Sequence, residues 1–593
     1  MRALSFLVSI TLGVFIALSG SQLVSAAPPA KAFGELPVGY DGAISPDGTQ
    51  IALIVNVEGT YAVVAEPLDA KGAKRWYLSL GKNIKPRYVK WVNNHRFVVS
   101  VTKSEEYRNT PFTVRYLFTG DVNAREGRLL VKPKDMFRQI NDTVVDWLED
   151  DPEHILMAYS DEEWDAYPDI KKVNVATGRD TTVKRGLNGI EYWAADHEGT
   201  PMIGTGQTDR GNKRRIIFDK ETEDWDSVDD YPGLEADTPI YGFLNQGREL
   251  VIGDYRGKDT MGVYVYDLKQ KRIVRDVFHN ENYDASGVVL SKDGKTIIGA
   301  KYTADSDKTE LLGKYGTLLD RMRAKFTDYD VDYVDQTAEG EVVLFNMSSP
   351  YDPGGLYMYH RNDEMPERLS KMYNGLTSND LGDVVAVKYT ARDGQKIPAF
   401  VTLPPGQKRA KNLPFIILPH GGPYARDAKR FDYFAQFFAS RGYGVLQMNF
   451  RGSEGYGKSF ADVGRNNWVV MQEDVEDGAR WLYEKGYADT SRTCIAGWSY
   501  GGYAALMGVS THPELYKCAI AMAALTDIND ARRDLKKYRG GKHAAKEFLA
   551  MVWKIKRYVS KTRLSMLPII SRCQYLLRMA NLMKMCNLTN IYV

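Results

Sequence analysis

Ser499 lies in the run Gly497-Trp498-Ser499-Tyr500-Gly501-Gly502, between two segments of different character. Arg492-Thr493-Cys494-Ile495-Ala496 precedes it and reads as a strand, while Tyr503-Ala504-Ala505-Leu506-Met507 follows and reads as a helix start. A Gly-x-Ser-x-Gly segment in that setting predicts a turn sharp enough to lift the serine hydroxyl clear of a sheet. Small neighbours let strand and helix approach, and glycine tolerates the dihedrals such a turn demands. A hydroxyl held this way could attack an acyl carbon. It would need a histidine to take its proton and a carboxylate to orient that histidine.

The charge that develops in such an attack needs donors. His420-Gly421-Gly422-Pro423 follows an apolar strand ending at Pro419. A glycine-rich turn there can bring a backbone N–H within hydrogen-bond reach of an oxyanion. The predicted pair of donors is Gly422 (or Gly421) with Tyr500, the residue after the nucleophile. His420 precedes the turn and is expected to lie buried beneath it in a structural role. A competing motif stands close by: Gly452-Ser453-Glu454-Gly455-Tyr456-Gly457-Lys458-Ser459 satisfies the Gly-x4-Gly-Lys-Ser pattern of a phosphate-binding loop. Glu454 argues against that reading, since it sets a carboxylate in a cradle meant for phosphate. A phosphate-binding loop also usually opens its domain, whereas here a strand and a helix precede it.

These residues need a scaffold, and 593 residues are too many for one core. From residue 40 to 385 the chain repeats. Polar turns followed by alternating runs recur at Ser45, Trp91, Trp147, Ala194, Leu244, Leu290 and Thr337, spaced 46 to 56 residues apart. Several strands per unit at that period predict a β-propeller with seven blades; a pair of sandwiches without circular closure is the alternative. From Val384 the texture changes. Val384–Tyr389 and Ile397–Leu403 read as antiparallel strands around the Arg392-Asp393-Gly394 turn. Apolar strands then alternate with helices: Phe415–Leu418, a helix over 431–440, Gly444–Phe450, a helix over 474–485, and Cys518–Leu525. Alternation of this kind implies a largely parallel sheet covered on both faces. Cys494 and Cys518 lie in apolar segments and are expected as separate buried thiols.

A propeller followed by an α/β domain that carries His420-Gly421-Gly422-Pro423, Asn449-Phe450-Arg451-Gly452-Ser453-Glu454-Gly455-Tyr456-Gly457 and Gly497–Tyr503 resembles the prolyl oligopeptidase family of serine peptidases. Within that family it looks closest to the acylaminoacyl-peptidase and dipeptidyl-aminopeptidase-like branch. The resemblance covers roughly residues 35–550. It implies an α/β-hydrolase fold, a nucleophile at Ser499 and backbone oxyanion donors at Gly422 and Tyr500. It also implies short peptide substrates filtered by the propeller, with no metal and no cofactor. Arg451 then becomes part of a loop at the mouth of the site, where it would fix neighbouring backbone. Two further readings stay open: a carboxylesterase, which the propeller argues against, and a non-catalytic propeller binding protein with a vestigial hydrolase half.

One departure from the family pattern matters. Members carry the triad aspartate some 80 residues after the serine and the histidine about 30 later, and neither stands at such a position here. Residues 551–593 hold eight Lys or Arg and five Met but no Asp, Glu, Gly or His. That composition predicts an aberrant basic tail, read out of frame, in place of the end of the domain. The expected division is 1–26 signal peptide, 27–385 propeller, 386–550 incomplete α/β-hydrolase domain and 551–593 tail. After Ser499 the histidines are His512, some 20 Å away at helical rise, and His543, so an inactive chain is expected.

Arg2, the apolar stretch Leu4–Leu18 and the small-residue site Val24-Ser25-Ala26 read as a secretory signal cleaved after Ala26. A secreted or periplasmic location follows as an expectation, with no stable membrane span after cleavage. A net charge of +2 gives no sign of a nucleic-acid partner. Asp161-Glu162-Glu163-Trp164 could meet a peptide's free amine but reads more simply as a solvated blade loop.

Overall fold

The computed structural model describes residues 27–526, apart from 69–74, 108–109, 132–138, 161–166, 209–210, 292–293, 314–315 and 338–339, together with Arg533 and Lys536. Residues 1–26, expected as a signal segment, Asp161–Trp164, His543 and residues 551–593 lie outside the described residues.

Seven meander sheets follow one another between residues 39 and 368, each built from strands adjacent in sequence. The polar turns that mark the sequence period all connect the first strand of a blade to its second. Ile44, Trp91, Asp146, Ala195, Leu244, Leu290 and Gln336 each end such a first strand. The period is therefore that of the blades, with its phase displaced by one strand. Second and third strands are the most apolar because neighbouring blades cover both their faces: Ile155, Val173, Leu250, Val263 and Leu344 are wholly buried. The seventh blade closes on the first, making the ring a propeller. Ile44 donates its N–H to Asp335 Oδ2 at 2.9 Å, and Ile44, Ile51, Leu344 and Leu356 share one apolar cluster.

The second domain is one six-stranded sheet. Val384–Thr390 and Lys396–Thr402 form an antiparallel hairpin, and the latter strand pairs antiparallel with Gly444–Met448. The strands Gly444–Met448, Leu413–Ile417, Ala488–Trp498 and Cys518–Met522 then pair in parallel. Side chains alternate across the sheet. Phe415 and Ile417 pack with Met471, Val475, Ala479 and Leu482, while Ile416 and Leu418 pack with Ala435 and Val445 on the other face. The helix carrying that first set, Trp468–Glu484, begins six residues before its predicted start, because Asn467 caps it by accepting the Val469 N–H.

Two expectations change. Cys494 and Cys518 are not separate thiols. They face each other in register on adjacent parallel strands, with Cα atoms 4.7 Å apart, and form a disulfide. An apolar setting tells nothing of register, which is what brought the two sulfur atoms together. Second, residues 28–34, which the expected division gives to the propeller, also meet the second domain. They pack on the helix Tyr433–Ala439 of the second domain, with Phe33 edge-on to Phe437 at 5.7 Å and Arg441 Nη2 donating to Pro28 O at 2.8 Å.

Candidate active site

The elbow is as sharp as the sequence requires. The strand Ala488–Trp498 ends, Ser499 takes φ 56° and ψ −115°, and the helix Tyr500–Thr511 begins at once. Positive φ in a residue with a Cβ is a strained conformation that surrounding structure must impose. Here the Ser499 N–H is bonded to Met522 O at 2.9 Å and its carbonyl accepts from Tyr503 N at 3.0 Å. The flanking glycines are forced by proximity. A Cβ on Gly497 would lie 2.3 Å from backbone of Gly501, and one on Gly501 would lie 2.2 Å from Pro419 O. Ser499 itself is half-buried, and among the described residues no partner hydrogen-bonds its hydroxyl.

The turn 420–423 presses on that elbow. A Cβ on Gly421 would meet Trp498 O at 3.0 Å and Ser499 Cβ at 3.6 Å, so turn and elbow are in backbone contact. Gly422 is exposed and has φ 119°, a region that belongs to glycine. Among the described residues neither the Gly422 N–H nor the Tyr500 N–H has a backbone acceptor. The Tyr500 donor is also the first orphan N–H of a helix, at its positive end. The Tyr500 ring points away into the core, fully buried against Phe450, Trp468 and Tyr503.

His420 lies under the turn as expected and does not face Ser499. Its Nε2 is 2.9 Å from Ser453 Oγ, its Nδ1 is 2.8 Å from Gly421 O, and its ring stacks on Phe450 at 4.3 Å. Burial pushes its pKa down to about 4, so the ring is neutral near pH 7. The contact to Gly421 O bears on the site directly. That carbonyl belongs to the peptide group whose N–H is Gly422, so a bond to its oxygen orients the donor at the other end.

Arg451 bridges three elements. Its Nε and Nη2 lie 3.0 and 2.6 Å from the two oxygens of Asp474, its backbone N–H reaches Asp474 Oδ2 at 2.9 Å, and Nη1 bonds Asp393. Where the resemblance implied that Arg451 fixes neighbouring backbone, its guanidinium meets two carboxylates, so that loop, helix and hairpin turn are tied at one buried charge.

The two described histidines of this domain face carboxylates or loops elsewhere. His512 caps the far end of the elbow helix, its Nε2 3.1 Å from Glu476 and its Nδ1 3.0 Å from Glu514. No cluster of His, Cys, Asp or Glu among the described residues could hold a metal ion.

Sequence reasoning missed the groups by which the propeller reaches this site. The phosphate-loop lookalike does cradle an anion. The helix Lys458–Asn466 starts from Gly457, which has no side chain to cap it, and Asp259 of blade five supplies the cap. Asp259 Oδ1 accepts from Ser459 N at 2.8 Å and Oδ2 from Ser459 Oγ at 2.7 Å. Asp284 accepts from Gly457 N at 3.1 Å. A carboxylate thus fills the positive helix end that the motif promised to a phosphate. No local pattern could have named a partner 200 residues away.

Comparison with known proteins agrees with this geometry. Residues 429–553 match the model of the prolyl oligopeptidase family. Dipeptidyl aminopeptidase BIII of Pseudoxanthomonas mexicana is 24% identical over 533 residues, covering 82% of this chain and 70% of that protein. Dipeptidyl peptidase family member 6 of Caenorhabditis elegans is 26% identical over 302 residues, and there the chain spans only 40% of the relative's length. Prolyl oligopeptidase B from Galerina marginata superposes with a TM-score of 0.63 at 16% identity, covering 86% of this chain and 76% of that one. The acylaminoacyl peptidase of Pyrococcus horikoshii does so at 0.55 and 14%, covering 86% and 80%. These structural likenesses speak for the fold, and the family-model match marks residues 429–553, which hold the elbow, as a segment of prolyl oligopeptidase type.

Proposed function

We propose that the protein cleaves short peptides through an acyl-enzyme on Ser499. Ser499 Oγ attacks the scissile carbonyl carbon, and the Gly422 and Tyr500 N–H groups stabilise the oxyanion that forms. The C–N bond then breaks as the leaving amine takes up the proton that Ser499 gave up, and water releases the acyl group by the reverse path, giving a proton back to Ser499 Oγ. The observation that carries this reading is the strained φ of Ser499, imposed beside a glycine turn whose Gly422 N–H has no backbone acceptor among the described residues. Strain is retained where a site needs the geometry. Dipeptidyl peptidases among the relatives favour exopeptidase action, and the propeller over the site favours short substrates.

The reading extends to two finer points. Neither His420 nor His512 is placed to receive the Ser499 proton, His543 lies outside the described residues, and residues 551–593 contain no histidine. We propose that this chain, as its sequence stands, turns over very slowly, because loss of triad members in related hydrolases costs on the order of 10⁶ in kcat. We also propose export, with cleavage after Ala26. A fluorophosphonate probe tests the first point. It should label the chain weakly and label well a version whose residues from 551 onward are replaced by the family's Asp- and His-bearing segment; Ser499→Ala should abolish both. Strong labelling of the unaltered chain would mean that another base exists. No labelling of the repaired version would remove Ser499 as nucleophile. Reading the coding DNA beyond codon 550 in the other two frames tests the origin of the tail. N-terminal sequencing of the exported protein tests for a start at Ala27.

A further inference from the structure

We infer that Arg426 is a positioning residue that makes the geometry of the oxyanion turn depend on the docked propeller. Arg426 lies four residues after Gly422 in the loop leaving the turn. Its side chain crosses to blade six, where Nη1 donates to Thr303 O at 2.9 Å and Nη2 to Ala304 O at 2.6 Å. Nη2 also reaches Tyr456 Oη at 2.8 Å, and the guanidinium lies over the Tyr456 ring at 4.1 Å. Three residues further along, Lys429 returns to the same hairpin with its N–H on Asp305 O at 2.5 Å. A fork whose acceptors are main-chain carbonyls reads backbone position, which a surface ion pair does not. Burial lowers the pKa of this guanidinium, and no carboxylate among the described residues pairs with it at salt-bridge distance.

The segment between Gly422 and Arg426 has little slack to absorb movement at either end. A Cβ on Gly422 would meet Ala425 N at 2.7 Å, and Tyr424 O accepts from Glu454 N at 3.2 Å. Asp427 is fastened too, exchanging bonds with Asn449 through its N–H and its carbonyl, at 2.7 and 2.9 Å. Displacing the blade-six hairpin would therefore be felt at Gly422. Docking itself has a second clasp at Asp259 and Asp284 on the helix Lys458–Asn466, which adjoins the first at Gly455, whose carbonyl accepts from Asp284 N at 3.1 Å and lies 3.5 Å from Arg426 Nη1. Loss of Arg426 should loosen the turn while the domains stay together. The name oxyanion turn rests on the proposed function; the mechanical coupling does not.

Hydrogen exchange read by mass spectrometry on the whole chain tests this. In Arg426→Ala, amides of peptides covering 420–428 should exchange roughly tenfold faster or more, as expected on losing charge-assisted bonds, while those covering 457–464 stay unchanged. Millimolar guanidinium, below any concentration that unfolds the parent, should restore protection, and sodium at equal ionic strength should not. Arg426→Lys should remain as fast as Ala, because an ammonium has no fork. Should the alanine variant aggregate, Arg426→Gln replaces it. Unchanged exchange at 420–428, equal opening at 457–464, or full protection in the lysine variant would each overturn the inference. Fluorophosphonate labelling fails or succeeds independently of this, so the two ideas can fall separately.

Discussion

Replacing Arg451 by methionine removes a charge from a place where its partner cannot be rehydrated. The Arg451 side chain is 8% exposed, that of Asp474 is 0%, and that of Asp393 is 49%. In Arg451→Met, Asp474 keeps one backbone N–H from residue 451 and loses both guanidinium bonds. Burial already pushes the Asp474 pKa up against the pull of the arginine. Breaking a buried pair from one side costs about 3–5 kcal/mol, most of it the penalty of the orphaned charge. For a unit of this size that lowers the hydrolase transition in a calorimetric scan by roughly 10 °C. The Asp393 arm faces solvent and should be worth under about 1 kcal/mol, so Asp393→Asn is the control. Arg451→Met/Asp474→Leu removes both charges and should recover most of the loss. The reasoning is refuted if the single methionine variant loses less than about 1 kcal/mol, or if the double variant is as unstable as the two singles added together.

Other expectations are simpler. His420 titrates at about 4 in the fold against 6.5 in the unfolded chain, so the unfolded state binds more protons in between; up to about 3 kcal/mol of stability should vanish as pH falls from 6.5 to 4. His420→Ala should flatten that part of a urea-midpoint profile. Asp427 is pushed up to about 8, first by burial and then by Asp432, so its contribution has the opposite sign. Stability should fall as pH rises from about 4 to 8, and Asp427→Asn should remove the fall, again read from urea midpoints. Reducing Cys494–Cys518 opens a loop closed across a sequence separation of 24 residues and should cost about 3 kcal/mol, measured by denaturant titration with and without reductant. Gly497→Ala forces a methyl onto Gly501 backbone and should cost more than about 2 kcal/mol or abolish folding, where Gly287→Ala, with open space around it and no positive φ, should cost under half of that.

What could be read from the sequence, and what could not, divides along one physical line. Period, apolar alternation and the small residues around Ser499 are local, and they predicted the blades, the parallel strands and the elbow. Blade phase was displaced because a polar turn announces itself more loudly than the half-buried inner strand before it, such as Val144–Asp146. The contacts missed were pairings across distance. Cys494 meets Cys518 only through register between parallel strands, Arg451 meets Asp474 only when a loop lies over a helix, and Asp259 reaches Ser459 only when two domains dock. The phosphate-loop lookalike shows the division within one motif. Its glycines and helix start correctly specified an anion-binding backbone, since that property is local. The identity of the anion was not local, and it is the carboxylate of another domain. The same line runs through the site itself: turn and elbow can be recognised in isolation, but whether they hold still together depends on carbonyls of blade six that no motif contains.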